Sequence, residues 1–425
     1  MRNFLGTLVG KLVKAALVLR KRGGQALPGL VVEKLFPDYI GSMLKKLPEG
    51  VVVVTGTNGK TTTTKIIVHL LQANGKRVLT NSTGSNLTRG IASSISQHAS
   101  LSGRLPYDIA VLEVDEATAR RFVERVIPKW VMALNVSRDQ LDRYGEVDII
   151  ASYVGAALSA AEGIVANAND PHVYKLTDEI SANNKKPIVY FGSAKKLKKF
   201  FPSDYELAAV KNDTAEQNMP RLDVELADFN GQNAVFLMDG KNYPAHLKLT
   251  GQHNFLNAAA ALALCRRLLP DIANQDLVDK LADVDLAFGR GETYRLENGA
   301  EIELVLVKNP ASFTQALSSY ASAQGSLMIA INDNIADGRD VSWLWDVNFA
   351  PLSGRQVTVT SGTRAPDMAL RLSYEEIKVR AVEGDLNKAI DILANTNGKK
   401  VILATYTAML YLHSRLSKRS EKKYE

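Results

Sequence analysis

Short β-branched runs closed by turn residues alternate with helix-period segments along the first half of the chain. Val51-Val-Val-Val54 is an unbroken apolar run, the pattern of a parallel strand buried on both faces. It ends at Thr55-Gly-Thr-Asn-Gly-Lys-Thr-Thr-Thr-Thr64, and Ile66, Ile67, Leu70 and Leu71 then recur at helical spacing up to Asn74-Gly75. Asp108–Glu116, Lys129–Val136 and Gly163–Pro171 repeat the motif of an apolar strand closed by polar or turn residues. Strands and helices alternating in this way predict a mainly parallel α/β sheet. Residues 192–248 break the rhythm, and Leu222–Val224 and Ala234–Leu237 predict a small β element there. Ala258–Leu269 reads as an apolar helix.

The N-terminal segment has a different pattern. Leu5, Leu8, Val9, Leu12, Ala16 and Leu19 form one stripe at helical spacing, with Lys11 and Lys14 off it. The lysines interrupt any run long enough to span a membrane and break the apolar centre of a secretory signal. Two readings remain open: a helix packed by its stripe onto the domain behind it, or a basic amphipathic helix resting on an anionic membrane surface.

Composition narrows the classes. The 425 residues are 46% hydrophobic and 23% charged, which excludes a disordered chain and predicts two to three domains at about 150 residues each. The net charge of +7 sits largely at the ends, in residues 1–22 and 418–425, with the middle nearly balanced. A nucleic-acid binder would carry a basic stripe on a folded face, so that class is set aside. The single cysteine, Cys265, excludes an intramolecular disulfide, a cysteine zinc ribbon and an iron–sulfur site, and fits a cytoplasmic protein.

The strand–turn–helix at 51–71 is the context in which loop amides and a helix N-terminus cradle phosphates. Gly56-x-x-Gly59-Lys60-Thr61 is a shortened form of the P-loop, because Val54 stands where the longer pattern has Gly. Lys60 is expected to reach the β- and γ-phosphates, and the Thr61 hydroxyl to sit on Mg²⁺. Of the carboxylates closing the second strand, Glu113 is the candidate second magnesium-facing acid; solvated loop acids are the plainer alternative. The hydroxyl- and amide-rich stretch Thr80–Gly90 is expected to face substrate and phosphate.

Gly56-Thr-Asn-Gly-Lys-Thr-Thr62, Asn135-x-x-x-Asp-Gln-x-Asp142, Ala166-Asn-Ala-Asn-Asp-Pro171 and Gly251-Gln-His-Asn-Phe-Leu-Asn257 together resemble the motif series of the Mur ligase family. That resemblance implies a central P-loop ATPase domain and a C-terminal Rossmann-like domain. ATP would convert a carboxylate to an acyl phosphate that an amine attacks. It assigns ATP binding to Thr57, Asn58, Gly59, Lys60, Thr61 and Thr62, with Asn254 and Asn257 near the adenine and Arg290 approaching from a linker. Spacing alone reads the Asn pair as a helix N-terminus and Arg290 as part of a hinge loop. The expected organisation is a basic helical arm at 1–45, an ATPase domain at 46–295 and a Rossmann-like domain at 296–425.

Within the family, Asp333-Asn-Ile-Ala-Asp-Gly-Arg-Asp-Val-Ser-Trp-Leu-Trp-Asp346, with Lys308-Asn-Pro-Ala311 and Ser361-Gly-Thr-Arg364, resembles the MurT subunits of lipid II isoglutaminyl synthase. This resemblance implies a heterodimer with a GatD-like class I glutaminase. It also implies ATP and Mg²⁺ as cofactors and amidation of D-isoglutamate in the lipid II stem peptide. The enzyme would work in the cytoplasm, with a peripheral contact at the inner face of the membrane. Asp340 matches the aspartate that completes the partner's Cys–His pair; the plainer role is N-cap of a helix at Val341–Trp345. Trp343 and Trp345 beside it suit an interface. A calcium loop fails, since Ile335 and Leu344 fall at ligand positions.

Three departures refine the expectation. Amino-acid-adding Mur ligases carry His where Gln140 stands and a lysine further on; no lysine occurs between Lys129 and Lys175. That favours amidation over the alternative, a stand-alone Mur or folylpolyglutamate-type ligase. The insertion at 192–248 lacks the four cysteines of the related zinc ribbon, so no zinc is expected. Cys265 lies in an apolar helix, so a glutaminase nucleophile must come from a second chain.

Overall fold

The computed structural model describes residues 2–19, 26–81, 86–137, 147–183, 185–201, 220–248, 251–284, 290–296, 299–320 and 325–420. Two sheets organise the chain. The first contains β1 (Val51–Thr55), β2 (Val78–Leu79), β3 (Ile109–Glu113), β4 (Trp130–Ala133), β5 (Gly163–Asn167), β6 (Ile188–Ser193), β7 (Val224–Asn230), β8 (Asn233–Met238) and β9 (Lys241–His246), in the order β2-β3-β1-β4-β5-β6-β7-β8-β9. Pairing is parallel from β2 to β7, and β7, β8 and β9 form an antiparallel meander. The expected β element at 192–248 is present as β7, β8 and β9, and it extends the main sheet because β7 pairs with β6.

β1 explains its own composition. Val52 and Val54 face one core with the helices Lys60–Ala73 and Gln252–Leu268, while Val51 and Val53 face a second core with the helices Thr88–His98 and Val147–Ala160. A strand covered on both faces has no polar position to offer, so the run stays apolar. Cys265 is fully buried in the helix Gln252–Leu268, where burial pushes its thiol well above the ordinary range.

The second sheet contains β10 (Arg290–Arg295), β11 (Glu301–Leu306), β12 (Gly325–Ala330), β13 (Gln356–Ser361), β14 (Lys378–Glu383) and β15 (Lys399–Ala404), in the order β10-β11-β15-β12-β13-β14. All pairs are parallel except β10–β11. Because β10 pairs with β11, this sheet begins before residue 296. Helices cover both faces: Leu386–Ala394 and Tyr406–Arg419 on one, Pro310–Tyr320 and Ala365–Tyr374 on the other.

The N-terminal helix, Arg2–Leu19, packs mainly by its small residues rather than by its apolar stripe, of which Val9 alone is packed against the core. Its buried residues are Gly6, Thr7 and Gly10, while Leu5 and Leu12 are exposed. Gly6 lies against the Tyr39 ring, and Thr7 Oγ1 and Tyr39 Oη share a buried hydrogen bond of 2.7 Å. Burial of that phenol, partly offset by the Thr7 bond, raises its pKa to about 12. Small residues won the inward face because they let the helix axis approach its neighbours closely. Among the described residues no helix is long and apolar enough to cross a membrane.

Candidate functional site

The site lies at the carboxyl end of β1, in the middle of the parallel part of the first sheet. The chain leaves β1 through Gly56 and Gly59, both at positive φ (126° and 88°), and enters the helix Lys60–Ala73 with no side chain capping its first turn. A Cβ at Gly59 would collide with the Asn257 side-chain oxygen, and one at Gly56 would come 2.9 Å from the Asn135 backbone. The loop therefore combines a conformation that favours glycine with two close approaches that require it.

Asn135 braces the loop. Its side-chain oxygen accepts from Asn58 N at 2.8 Å, and its amide donates to Asn58 O at 3.0 Å. Thr57 Oγ1 accepts from Ser137 N at 2.9 Å. Asn254 accepts from Asn257 Nδ2 at 3.2 Å, which positions the oxygen that presses on Gly59. The Thr62 and Thr63 hydroxyls are buried without a hydrogen-bond partner.

Two carboxylates divide the charge work. Glu113, paired in register with Val54, accepts from Thr61 Oγ1 at 3.0 Å, while its backbone exchanges hydrogen bonds with the Asn81 side chain (2.8 and 2.9 Å). Glu116 lies 3.5 Å from Lys60 Nζ, with both side chains buried. Burial alone would raise the Glu116 pKa, but the charges of Lys60 and Lys308 outweigh it and hold the carboxyl below its ordinary value. Lys60 Nζ also donates to Gly56 O at 2.5 Å.

The second sheet reaches into this loop. Lys308 Nζ donates to Thr57 O at 2.9 Å, and Asn309 Nδ2 donates to Asn58 Oδ1 at 3.1 Å. Both residues directly follow β11, so the carboxyl edges of the two sheets meet at the phosphate loop.

The same edge of the second sheet carries Asp340. The segment after β12 is pinned at several points. Asp337, buried, accepts from Thr407 N (2.7 Å) and Oγ1 (2.5 Å); Asp333 accepts from Thr363 Oγ1 (2.8 Å) and Arg364 Nε (2.9 Å). Asp340 itself is exposed. Hydrogen bonds from the side chain and backbone of Ser342 hold its carboxyl below the usual range. The expected helix at 341–345 is one 3₁₀ turn, Ser342–Asp346, whose capping position is Val341; Asp340 accepts from Ser342 N at 2.8 Å across an Asx-type turn. Trp343 is not available to a partner, being buried against Phe313. Trp345 is half exposed, lies over the Arg371 guanidinium and meets the exposed Tyr374 ring edge-on at 5.1 Å.

The structure thus gathers Thr57, Asn58, Gly59, Lys60, Thr61, Thr62, Glu113, Asn254 and Asn257 around one loop, and places Asp340 on the other sheet. Gln140 and its neighbours in the 138–146 segment lie outside the described residues, as does the side chain of Arg290, which opens β10. Roles for Asn135, Glu116, Lys308 and Asn309 were not read from sequence. Glu116 stood among the acids closing β3, and Lys308-Asn309 was only a family marker.

Fit to the implied ligands follows from the donor sets. Uncapped helix amides, two glycines at positive φ, a buried lysine and orphan threonine hydroxyls suit a polyphosphate. Thr61 Oγ1 and Glu113 are hard oxygen donors of the kind Mg²⁺ takes alongside phosphate oxygens. Among the described residues no group of three or more His, Cys, Asp or Glu side chains is placed to hold a metal ion.

Family models match at two places: the Mur ligase middle domain over residues 54–265 and the MurT ligase C-terminal domain over residues 306–409. The solved MurF from Acinetobacter baumannii has the same fold, with a TM-score of 0.69 at 18% identity over 91% of this chain and 80% of that one. The fold and the middle-domain match are those of the Mur ligases. The lipid II isoglutaminyl synthase (glutamine-hydrolyzing) subunit MurT of Staphylococcus aureus is 30% identical over 99% of both chains. The same subunit of Streptococcus pneumoniae is 32% identical over 99% of this chain and 98% of its own. The chain belongs to the MurT family.

Proposed function

We propose that this chain is the ATP-using subunit of a lipid II isoglutaminyl synthase, amidating the α-carboxylate of D-isoglutamate in the stem peptide to D-isoglutamine. The observation that carries the reading is similarity to two MurT subunits over essentially the whole of both chains. The helical arm is assigned to 1–45, the central ATPase unit from residue 46 up to β10, and the Rossmann-like unit from β10 (Arg290–Arg295) onward, because β10 belongs to the second sheet rather than to the ATPase unit expected to run to 295.

Lys60, the loop amides of 57–60 and Lys308 hold the β- and γ-phosphates of ATP, with Asn254 and Asn257 behind Gly59 on the adenine side. Thr61 and Glu113 would hold Mg²⁺, whose charge offsets that of the phosphates. The substrate carboxylate oxygen attacks the γ-phosphorus and ADP leaves, giving an acyl phosphate. Ammonia then attacks the acyl carbon, inorganic phosphate leaves, and one proton is released with the amide. Positioning and charge stabilisation supply most of the rate. Approach of the 308–309 segment to the phosphate loop shields the acyl phosphate from water.

The nitrogen source is a GatD-like class I glutaminase paired with this chain. Cys265 is buried with a raised pKa, the opposite of an activated nucleophile. Asp340, exposed and kept ionised by Ser342, completes the partner's Cys–His pair, and Trp345 and Tyr374 contribute aromatic surface to that interface. The test is turnover of lipid II with ATP and either ammonium chloride or glutamine, with and without the glutaminase. Amidation by ammonia with this chain alone, and by glutamine only with the partner, supports the proposal. Incorporation of an amino acid instead would identify a stand-alone ligase, and absence of turnover with ammonia would refute the synthetase assignment.

A further inference from the structure

The helix Arg2–Leu19 is held to the body firmly and in one orientation. Gly10 lies against Ser96, Ser42 Oγ donates to Asn3 Oδ1 at 2.7 Å, and Lys11 Nζ donates to Gln97 O at 2.8 Å. With that face fixed inward, Phe4, Leu5, Leu12, Val18 and Leu19 are turned to solvent; Leu12 is 60% and Leu19 84% exposed. A stable soluble surface does not ordinarily keep a row of aliphatic side chains on one rigid helix uncovered.

Charge says what covers it. The helix contains Arg2, Lys11 and Lys14 and no acid, and residues 1–22 carry six basic and no acidic side chains. Arg2 is exposed and Lys14 half exposed, while Lys11 is committed to the body. A protein partner would need an apolar groove rimmed by acids. A bilayer rich in anionic phospholipid offers both halves at once, an acyl boundary for the leucines and phosphate headgroups for the cations. We infer that the outward face of Arg2–Leu19 is a docking surface for an anionic membrane, on which the chain lies without spanning it. This rests on exposure and charge, independently of the amidation reading, and its readout needs neither ATP nor substrate.

The experiment is co-sedimentation of the full-length protein with vesicles of phosphatidylglycerol and, separately, of phosphatidylcholine. Binding to phosphatidylglycerol that weakens as salt is raised, with little binding to phosphatidylcholine, is expected. The L12Q/L19Q double variant, altered only at exposed positions, should lose about tenfold in partitioning at an unchanged melting temperature. Wild-type protein left in the supernatant with phosphatidylglycerol, or equal partitioning of variant and wild type, would overturn the inference. So would a lipid-free dimer in sedimentation velocity that the same variant dissociates, which would assign the face to a second copy of the chain. Lys14→Glu, off the apolar face, should weaken binding at low salt and converge with wild type at high salt.

Discussion

Asn58 in the phosphate loop and Asn309 at the start of the second sheet's first crossover, 251 positions apart, exchange side-chain amide hydrogen bonds. The donation from Asn309 is 3.1 Å long and the return from Asn58 is 3.5 Å. With Lys308 on Thr57 O, the pair ties the position of the second sheet to the loop proposed to hold phosphate. Replacing Asn309 by Ala removes both amide bonds and also the bond its Oδ1 accepts from Ser312 N at 2.9 Å, each worth about 1 kcal/mol net. The expected result is a rise of about tenfold in KM for ATP, together with a modest fall in melting temperature from the lost cap of the helix Pro310–Tyr320. Steady-state kinetics with ammonia as nitrogen donor would check it.

Glu116 makes stability depend on pH with a defined sign. Its folded pKa lies below the ordinary 4.5 because Lys60 and Lys308 outweigh its burial. A depressed carboxyl contributes stability that is complete above the ordinary value and lost as pH falls through the folded one. Glu116→Gln should therefore flatten the acid side of the stability curve and cost about 3 kcal/mol at neutral pH, the scale for breaking a buried ion pair. Thermal unfolding between neutral and strongly acid pH measures both effects; parallel curves for the two proteins would contradict them.

Gly59 and Gly231 separate strain from collision. Both have positive φ, 88° and 59°, but nothing lies within 4 Å of a Cβ at Gly231. Gly231→Ala should cost about 1 kcal/mol and leave nucleotide binding intact. Gly59→Ala meets Asn257 as well, and should abolish nucleotide binding measured by calorimetry while destabilising by about 1–3 kcal/mol.

Asp340 and Asp337 are three positions apart and differ in burial. Asp340→Asn, at an exposed carboxylate, should eliminate glutamine-dependent turnover while ammonia-dependent turnover and melting temperature stay at wild-type levels. Asp337→Ala leaves Thr407 without its acceptor and should destabilise by about 1–3 kcal/mol. Glutamine-dependent turnover that survives Asp340→Asn would remove Asp340 from the partner's site.

Local chemistry made the phosphate loop legible. An apolar run, two glycines, Lys60 and Thr61 fall within one strand–turn–helix, and neighbours in sequence remain neighbours in space. The same holds for the alternation of strands and helices, whose periods are set by each element's own covering. Asn135, Glu116, Lys308 and Asn309 carry no such mark. Each matters through a partner dozens to hundreds of residues away, so only the folded arrangement selects Glu116 for Lys60 and leaves Glu113 to Thr61.

The N-terminal helix shows where the division falls. Its existence and its apolar stripe follow from residue spacing alone. Which face turns inward depended on the surface that receives it: the Tyr39 ring and Ser96 leave room only for Gly6 and Gly10, and Thr7 finds the Tyr39 hydroxyl. Spacing determines that a helix has two faces; close packing against the rest of the chain decided that the small face is buried and the leucines meet the outside.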